Sequence, residues 1–405
     1  MSTMADPSKD QFRLSQLIYD TRYRSMTIQT VAFVGFVAAF AWLISNTVTN
    51  LEALGKDFNF GFLSVRAGYD INQRLIEYSS DSTHLRATVV GLLNTLLVAV
   101  LGCILATVIG VIAGVLRLSK NWLTAKLMTV YIETFRNIPI LLWIIAFFAV
   151  LTESTPAPRA FRGENPAANM IFGDSIAITN RGTYIPAPVW GSGSMVVVLV
   201  FLLSLVGIWW FGRYAKARQE ATGDILPTFW IKTGIFFLPA LLVYFIMGMP
   251  ITLEYPELKG FNFTGGLHMR NSLIALWLAL SIYTASFIAE NVRAGILAIS
   301  KGQTEAAYAL GIRPSRTMNL VILPQALRVI IPPLISQYLN LTKNSSLAIA
   351  VGYMDLRSTL GGITLNQTGR ELECMLLMMV IYLATSLTIS MFGNIYNNSV
   401  KLKER

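Results

Sequence analysis

Charge is the scarcest property of this chain. Only 13% of its residues are Asp, Glu, Lys or Arg, where soluble globular domains carry about a quarter, while 54% are hydrophobic and the mean hydropathy is +0.55. A soluble protein of two or three domains, as length alone suggests, would have to bury more membrane-length apolar runs than cores contain. The chain therefore reads as an integral membrane protein. His and Cys number two each. His84 and His268 stand at segment edges, and Cys103 and Cys374 lie inside apolar runs, so neither a metal cluster nor a disulfide framework can be assembled. No G-x-x-x-x-G-K-[ST] phosphate loop occurs, and Gly191-Ser192-Gly193 lacks a third glycine and a flanking strand. The chain thus carries no phosphate loop of its own. A G-x-S-x-G elbow and a close pair of intramembrane carboxylates are also missing, which argues against a membrane-embedded enzyme.

The charge that is present is basic, net +10. Lys and Arg are spread over short loops beside apolar runs, without interleaved stacking aromatics, so they argue for orientation in a bilayer and against nucleic acid. Residues 1–26 are polar, with Lys9, Arg13, Arg22 and Arg24, and precede an apolar run at 27–47. That run is too long for a signal-peptide core and no A-x-A site follows, so it is expected to stay as a first span with the N-terminus inside. Acids offset the bases over 49–87, as expected outside. A second span, 88–116, carries Gly102, Ala106, Gly110 and Gly114 at successive i+4 positions. Such a stripe lets another helix approach closely.

Arg117, Lys120 and Lys126 mark an inner turn, after which a third span returns with Pro139 expected to kink or restart it. The proline-rich 152–193 stretch reads as an ordered external loop. The fourth span, 195–211, leads to inner Arg213, Lys216 and Arg218, the fifth, 229–249, returns, and the sixth covers 271–296. The seventh, 321–351, is expected to break at Pro324 and at Pro332-Pro333, and it holds a polar patch from Asn340 to Ser346 at membrane depth. Polar backbone at that depth is tolerated where it is buried in protein or lines a cavity. A short external loop with Asp355, Arg357 and Arg370 precedes the eighth span, 372–392, and the inner basic tail 401–405. The expected fold is all-α, with about eight transmembrane helices and both termini cytoplasmic.

Between the sixth and seventh spans lies a polar, basic island, GQTEAAYALGIRPSRTMNLVILP, at 302–324. Its first part favours a short helix, Gly311 can end that helix in a left-handed conformation, and Pro314 can start a second one. Two short helices at an angle would form a knob for a soluble partner. As plain sequence the stretch also reads as an ordinary internal loop.

Glu305-Ala306-Ala307, then Gly311, then Ile322-Leu323-Pro324 resembles the EAA signature of permease subunits of ABC importers, at that family's spacing. The likeness extends to the polar amino-acid uptake group through GLLNTLLVAVLGCILATVIGVIAGVLRLS, YIETFRNIPILL, YTASFIAENVRAGILAISKGQTEAA and LPQALRVIIPPL, over roughly 90–150 and 270–392. An added N-terminal span, an insertion over 152–270 with two further helices, FNFTGG and TLNQTGRELE resemble the larger Q-type subunits of general L-amino-acid permeases.

The resemblance implies a type I importer transmembrane domain over 88–392, an extra helix and periplasmic loop over 27–87, and cytoplasmic tails at 1–26 and 393–405. It implies the bacterial inner membrane, a second homologous permease subunit, two ATPase subunits that hold ATP and Mg, a periplasmic binding protein and an L-amino acid as cargo. This chain would bind no cofactor. Gln303, Glu305, Ala306, Ala307, Leu310, Gly311, Leu323 and Pro324 would then form the coupling element that turns ATPase closure into rearrangement of the spans.

Two ionisable residues at membrane depth are candidates for the passage itself. Glu290, with Arg293 at i+3, and Lys343 could meet the ammonium and carboxylate of an amino acid, with Asn344 and Ser345 as neutral donors. Alternatively, Glu290 pairs with Arg293 and Lys343 satisfies carbonyls freed by the prolines. A secondary transporter driven by an ion gradient would use such features equally well, but it leaves the Glu-Ala-Ala to Leu-Pro spacing unexplained.

Overall fold

The structure is a computed structural model that describes residues 16–53, 55, 57–163 and 165–400. Lys9, Arg13 and the basic 401–405 tail lie outside the described residues. The chain forms two compact units, Met1–Leu63 and Ser64–Arg405.

In the first unit a short turn, α1 (Gln16–Tyr19), precedes α2 (Thr21–Ala53). The expected span 27–47 is the middle of α2, which runs further at both ends because no Pro or Gly stands there to stop it. Thr27, Thr47 and Thr49 each donate to a carbonyl one turn back, so their hydroxyls are satisfied within the helix.

The second unit opens with residues 64–83, which fold against the start of α3 (His84–Arg117). Ala67, Ile71 and Tyr78 form a small core with Ala87 and Val90, and Thr83 caps α3 by accepting from the Arg86 N–H at 3.3 Å. The division between units falls at Leu63, within the 49–87 loop. Beyond α3, Pro139 does more than kink the third span. α4 (Trp122–Asn137) and α5 (Ile140–Glu153) meet at 107°. Seven helices among the described residues are long and apolar enough to cross a membrane, and the bent pair can supply an eighth.

The stretches on either side of α6 (Ser194–Thr222) and α7 (Thr228–Ile246) carry short strands that an all-helical expectation omits. These are β1 (Ala177–Thr179), β2 (Gly182–Ile185), β3 (Ala187–Trp190), β4 (Ile251–Glu254), β5 (Glu257–Lys259), β6 (Asn262–Thr264) and β7 (Leu267–Met269). β1, β2 and β7 form one antiparallel sheet, β3 pairs with β4, and β5 pairs with β6. Tyr184 on β2 is buried, stacks on His268 of β7 at 4.2 Å, and donates to Asn262 at 3.0 Å. Two loops that read separately in sequence are thus joined by strand pairing into a β-layer of three small sheets, from which α6 and α7 leave as a hairpin packed chiefly on itself.

The core centres on α8 (Asn271–Leu297), whose most apolar window is 67% buried, the largest share of any span. α3 lies against it through the small-residue stripe. A Cβ at Gly110 would stand 2.6 Å from Cβ of Ile288, and one at Gly114 would stand 2.6 Å from the carbonyl oxygen of Ala289. Ala106 is fully buried, whereas Gly102 faces Leu341 of a different helix.

After α8 come α9 (Lys301–Ala309) and α10 (Pro314–Thr317), a π turn over Met318–Ile322, and α11 (Leu323–Asn344). Two expectations change here. The second short helix of the island is the first turn of a span that runs Pro314–Val351. α11 also passes through Pro332 and Pro333 without ending, held by buried Ala326, Ile330 and Ile331, with Ile330 seated on Gly295 of α8. The irregular segments are the π turn at its root and a 3-10 turn, Ser345–Val351, at its far end.

The expected short external loop after Val351 is helical as well. It contains α12 (Leu356–Ser358), a π turn over Thr359–Thr364 and α13 (Leu365–Thr368), and α14 (Glu371–Val400) completes the unit.

Candidate functional site

The island presents a short helix on a rigid mount. Only residues 298–300 join α8 to α9, and Gly311 ends α9 with φ at +71°. The Gly311 N–H donates to the Tyr308 carbonyl at 2.9 Å and the Ile312 N–H to the Ala307 carbonyl at 3.0 Å. This double bond pattern closes a helix when its next residue is left-handed, so Gly311 is required for its backbone. Ala307 is buried, while Gln303, Glu305, Ala306 and Leu310 are exposed. Tyr308 and Leu310, 50% and 79% exposed, put apolar surface on an otherwise polar helix, the composition of a contact surface. The Gln325 amide donates to Gln303 at 3.3 Å and fastens α9 to the root of α11, next to Leu323 and Pro324.

At membrane depth the four sequence candidates separate. Adjacent positions on a helix point about 100° apart, and Lys343 and Asn344 accordingly face different spaces. Lys343 lines a cavity of about 290 Å³ with Met378, Tyr382 and Ser386 of α14. Asn344 lines another of about 270 Å³ with Gln337, Asn340, Tyr283, Thr284 and Phe287, between α11 and α8. Ser345 is buried and donates to the Thr342 carbonyl at 2.7 Å. The Asn344 cavity is the polar one, with amides and hydroxyls facing two aromatic rings, and the Arg136 guanidinium lies 5.2 Å over the Phe287 ring. Gln337, Asn340 and Asn344 sit at i, i+3 and i+7, a single face legible in the sequence. The opposing Tyr283, Thr284 and Phe287 carry no such signal.

Glu290 faces neither cavity. Its carboxylate accepts from Arg117 of α3 and from Arg293, the latter at 3.0 Å, and Arg117 also reaches Glu133 of α4 at 3.5 Å. Three helices are tied at one level by this chain of charges.

A buried acid that the sequence placed in an external loop is found at the other end. Asp355 is fully buried, caps α12 by accepting from the Ser358 N–H at 2.9 Å, and accepts from the Tyr382 hydroxyl at 3.4 Å. Burial raises its carboxyl above the usual carboxylate range, against the lowering pull of the Ser358 bonds.

Residues 221–400, which contain the island, α11 and α14, match the family of binding-protein-dependent transport system inner membrane components. BztB of Rhodobacter capsulatus, a glutamate/glutamine/aspartate/asparagine transport system permease protein, is 59% identical over 100% of both chains. The chain belongs to the amino-acid ABC transporter permeases. AapQ of Rhizobium johnstonii, a general L-amino acid transport system permease protein, is 46% identical over 96% of this permease and 95% of its own length. A crystal structure of an amino acid ABC transporter with histidines superposes on 78% of the permease and 95% of that chain, with a TM-score of 0.45 at 18% identity. Full-length kinship to permeases favours an ABC transport subunit over an ion-driven carrier and makes this permease an inner-membrane transport component.

Proposed function

We propose that the permease conducts L-amino acids into the cell, with the polar and acidic amino acids named for BztB as the first candidates, and that a separate ATPase drives it through α9. The observation that carries this reading is α9 itself, a capped helix with exposed Glu305, Tyr308 and Leu310, mounted rigidly between two spans in a chain 59% identical to a transport permease. In this reading α9 and both termini face the cytoplasm, the β-layer faces the periplasm and a binding protein, two ATPase subunits hold ATP and Mg, and a second permease subunit completes the path. Gln303, Glu305, Ala306, Ala307, Leu310, Gly311, Leu323 and Pro324 form and mount the coupling surface.

The passage runs past the Asn344 cavity. Gln337, Asn340, Asn344 and Thr284 offer neutral donors and acceptors, which can accept side chains of either charge or none. Lys343 and Ser345 stand away from that cavity, and Glu290 serves the tie between α3, α4 and α8 instead of meeting cargo.

The test is reconstitution of the chain with its partner subunits in proteoliposomes. Uptake should require ATP and the binding protein, and Glu305→Ala or Leu310→Asp should lose ATPase docking or uncouple hydrolysis from uptake. Uptake by this chain alone, without an ATPase, would overturn the reading.

A further inference from the structure

The α6–α7 hairpin is almost free of protein cover. α7 buries none of its residues, and the hairpin packs chiefly on itself. Its 223–227 end carries a distinctive pair of cations. The Arg213 guanidinium lies 4.1 Å over the Trp209 ring. Lys232 crosses from α7 to α6, where its ammonium would stand 3.2 Å from a Cβ at Gly212 and its Cε 3.5 Å away. The missing side chain of Gly212 is therefore what seats Lys232 against α6, at the level of Arg213.

Among the described residues neither cation is in an ion pair, whereas the neighbouring Lys216 and Arg218 are taken by Glu220 at 3.8 Å and Asp224 at 3.3 Å. Two cations at one level of the hairpin without an acid to neutralise them attract an anion. Depth identifies the anion. α7 has 19 residues, about 28 Å of helix, just enough for a bilayer core of about 30 Å. Lys232, near its start, must lie at the headgroup boundary and reach outward. Trp209, Trp210 and Trp230 are exposed around it, the aromatic girdle of a membrane interface. α6 continues nine residues past Arg213 to Thr222, about 13 Å farther, so the orientation charges sit out in water and the pair sits in the headgroup layer.

We propose that Arg213 and Lys232 hold the phosphate of an anionic phospholipid headgroup at this end of the hairpin, with Gly212 as the seat and the tryptophans as the belt. The experiment is native mass spectrometry of the full-length chain released from bilayers of mixed phosphatidylglycerol and phosphatidylcholine. Wild type should retain phosphatidylglycerol selectively. Arg213→Gln with Lys232→Gln should lower that affinity by roughly twenty-fivefold, about fivefold for each basic residue. Gly212→Leu keeps both charges but evicts Lys232, and it should also lower retention, which separates seating from charge alone. Lys216→Gln with Arg218→Gln should leave retention near wild type.

Four results would overturn the proposal. They are retention by the Arg213 and Lys232 variant equal to wild type, an equal loss in the Lys216 and Arg218 variant, displacement of the lipid by millimolar inorganic phosphate, and lipid-independent shielding of Lys232 from acylation by a partner chain.

Discussion

Alanine at Gly114 measures how tightly the two central helices are held. Its Cβ would stand 2.6 Å from the Ala289 carbonyl oxygen and 2.9 Å from Cβ of Val292. Ordinary contact is about 3.5 Å, so the oxygen must retreat by close to an ångström, and a helix carbonyl cannot swing aside as a side chain can. α3 and α8 must part. Overpacking of this kind costs about 1–3 kcal/mol, and the better helix propensity of Ala returns at most about 1 kcal/mol. Gly110→Ala meets the same wall, at 2.6 Å from Cβ of Ile288 and 2.9 Å from the Ala285 carbonyl. Gly102→Ala meets Cδ2 of Leu341 at 3.0 Å, the mobile end of a side chain, and should cost under about 1 kcal/mol. Thermal unfolding of the purified permease, followed by tryptophan fluorescence, should therefore place Gly110→Ala and Gly114→Ala a few degrees below wild type, with Gly102→Ala close to it. Equal melting of Gly114→Ala and Gly102→Ala would refute the idea that the stripe is a rigid seam between α3 and α8.

Three further outcomes are expected. Burial raises the Asp355 carboxyl, so folding favours the protonated acid. Its contribution is full below the unfolded value near 3.8 and is lost as pH rises through the raised folded value. Wild-type melting should accordingly fall with rising pH across that window while Asp355→Asn stays level, and parallel curves would count against it. Arg117→Gln leaves the Glu290 carboxylate with Arg293 alone, and a double-mutant cycle with Glu290→Gln should return a coupling of about 0.5–3 kcal/mol; a value near zero would dissolve the three-helix tie. In reconstituted uptake, Asn340→Leu and Gln337→Leu should each lose roughly tenfold or more, as the loss of a hydrogen bond to a charged ligand predicts, whereas Lys343→Met should stay near wild type. The reverse order would return the passage to the Lys343 side.

The spans were legible because a run of about 20 apolar residues has few other uses, and the Gly311 turn because a helix end needs a residue that accepts positive φ. What escaped is non-local. Thr183 pairs with Met269 and Ala187 with Glu254, across the whole α6–α7 hairpin, and no local pattern in strands of three or four residues announces such partners. Asp355 stands among polar neighbours that read as loop, and it is enclosed by side chains from distant elements, Tyr382 of α14 donating to its carboxylate and Thr95 of α3 accepting from the nearby Leu356 N–H. The two prolines of α11 obey a local rule that predicts a break, but packing against α8 outweighs it. The divergence of Lys343 and Asn344 was available from helical geometry alone.

The shortness of the chain on either side of α9 has a mechanical consequence. With only residues 298–300 before it and 310–313 after it, plus the Gln303–Gln325 bond, little slack remains to absorb a displacement. α9 is a crossbar between the two walls of the Asn344 cavity, about 24 Å of helix from Thr284 and about 40 Å from Asn340. Arms of unequal length driven from one bar do not swing in parallel: a tilt of a few degrees moves the far wall by an ångström more than the near one. A small push on α9 would therefore shear the cavity, sliding the amides of α11 past the hydroxyl of Thr284.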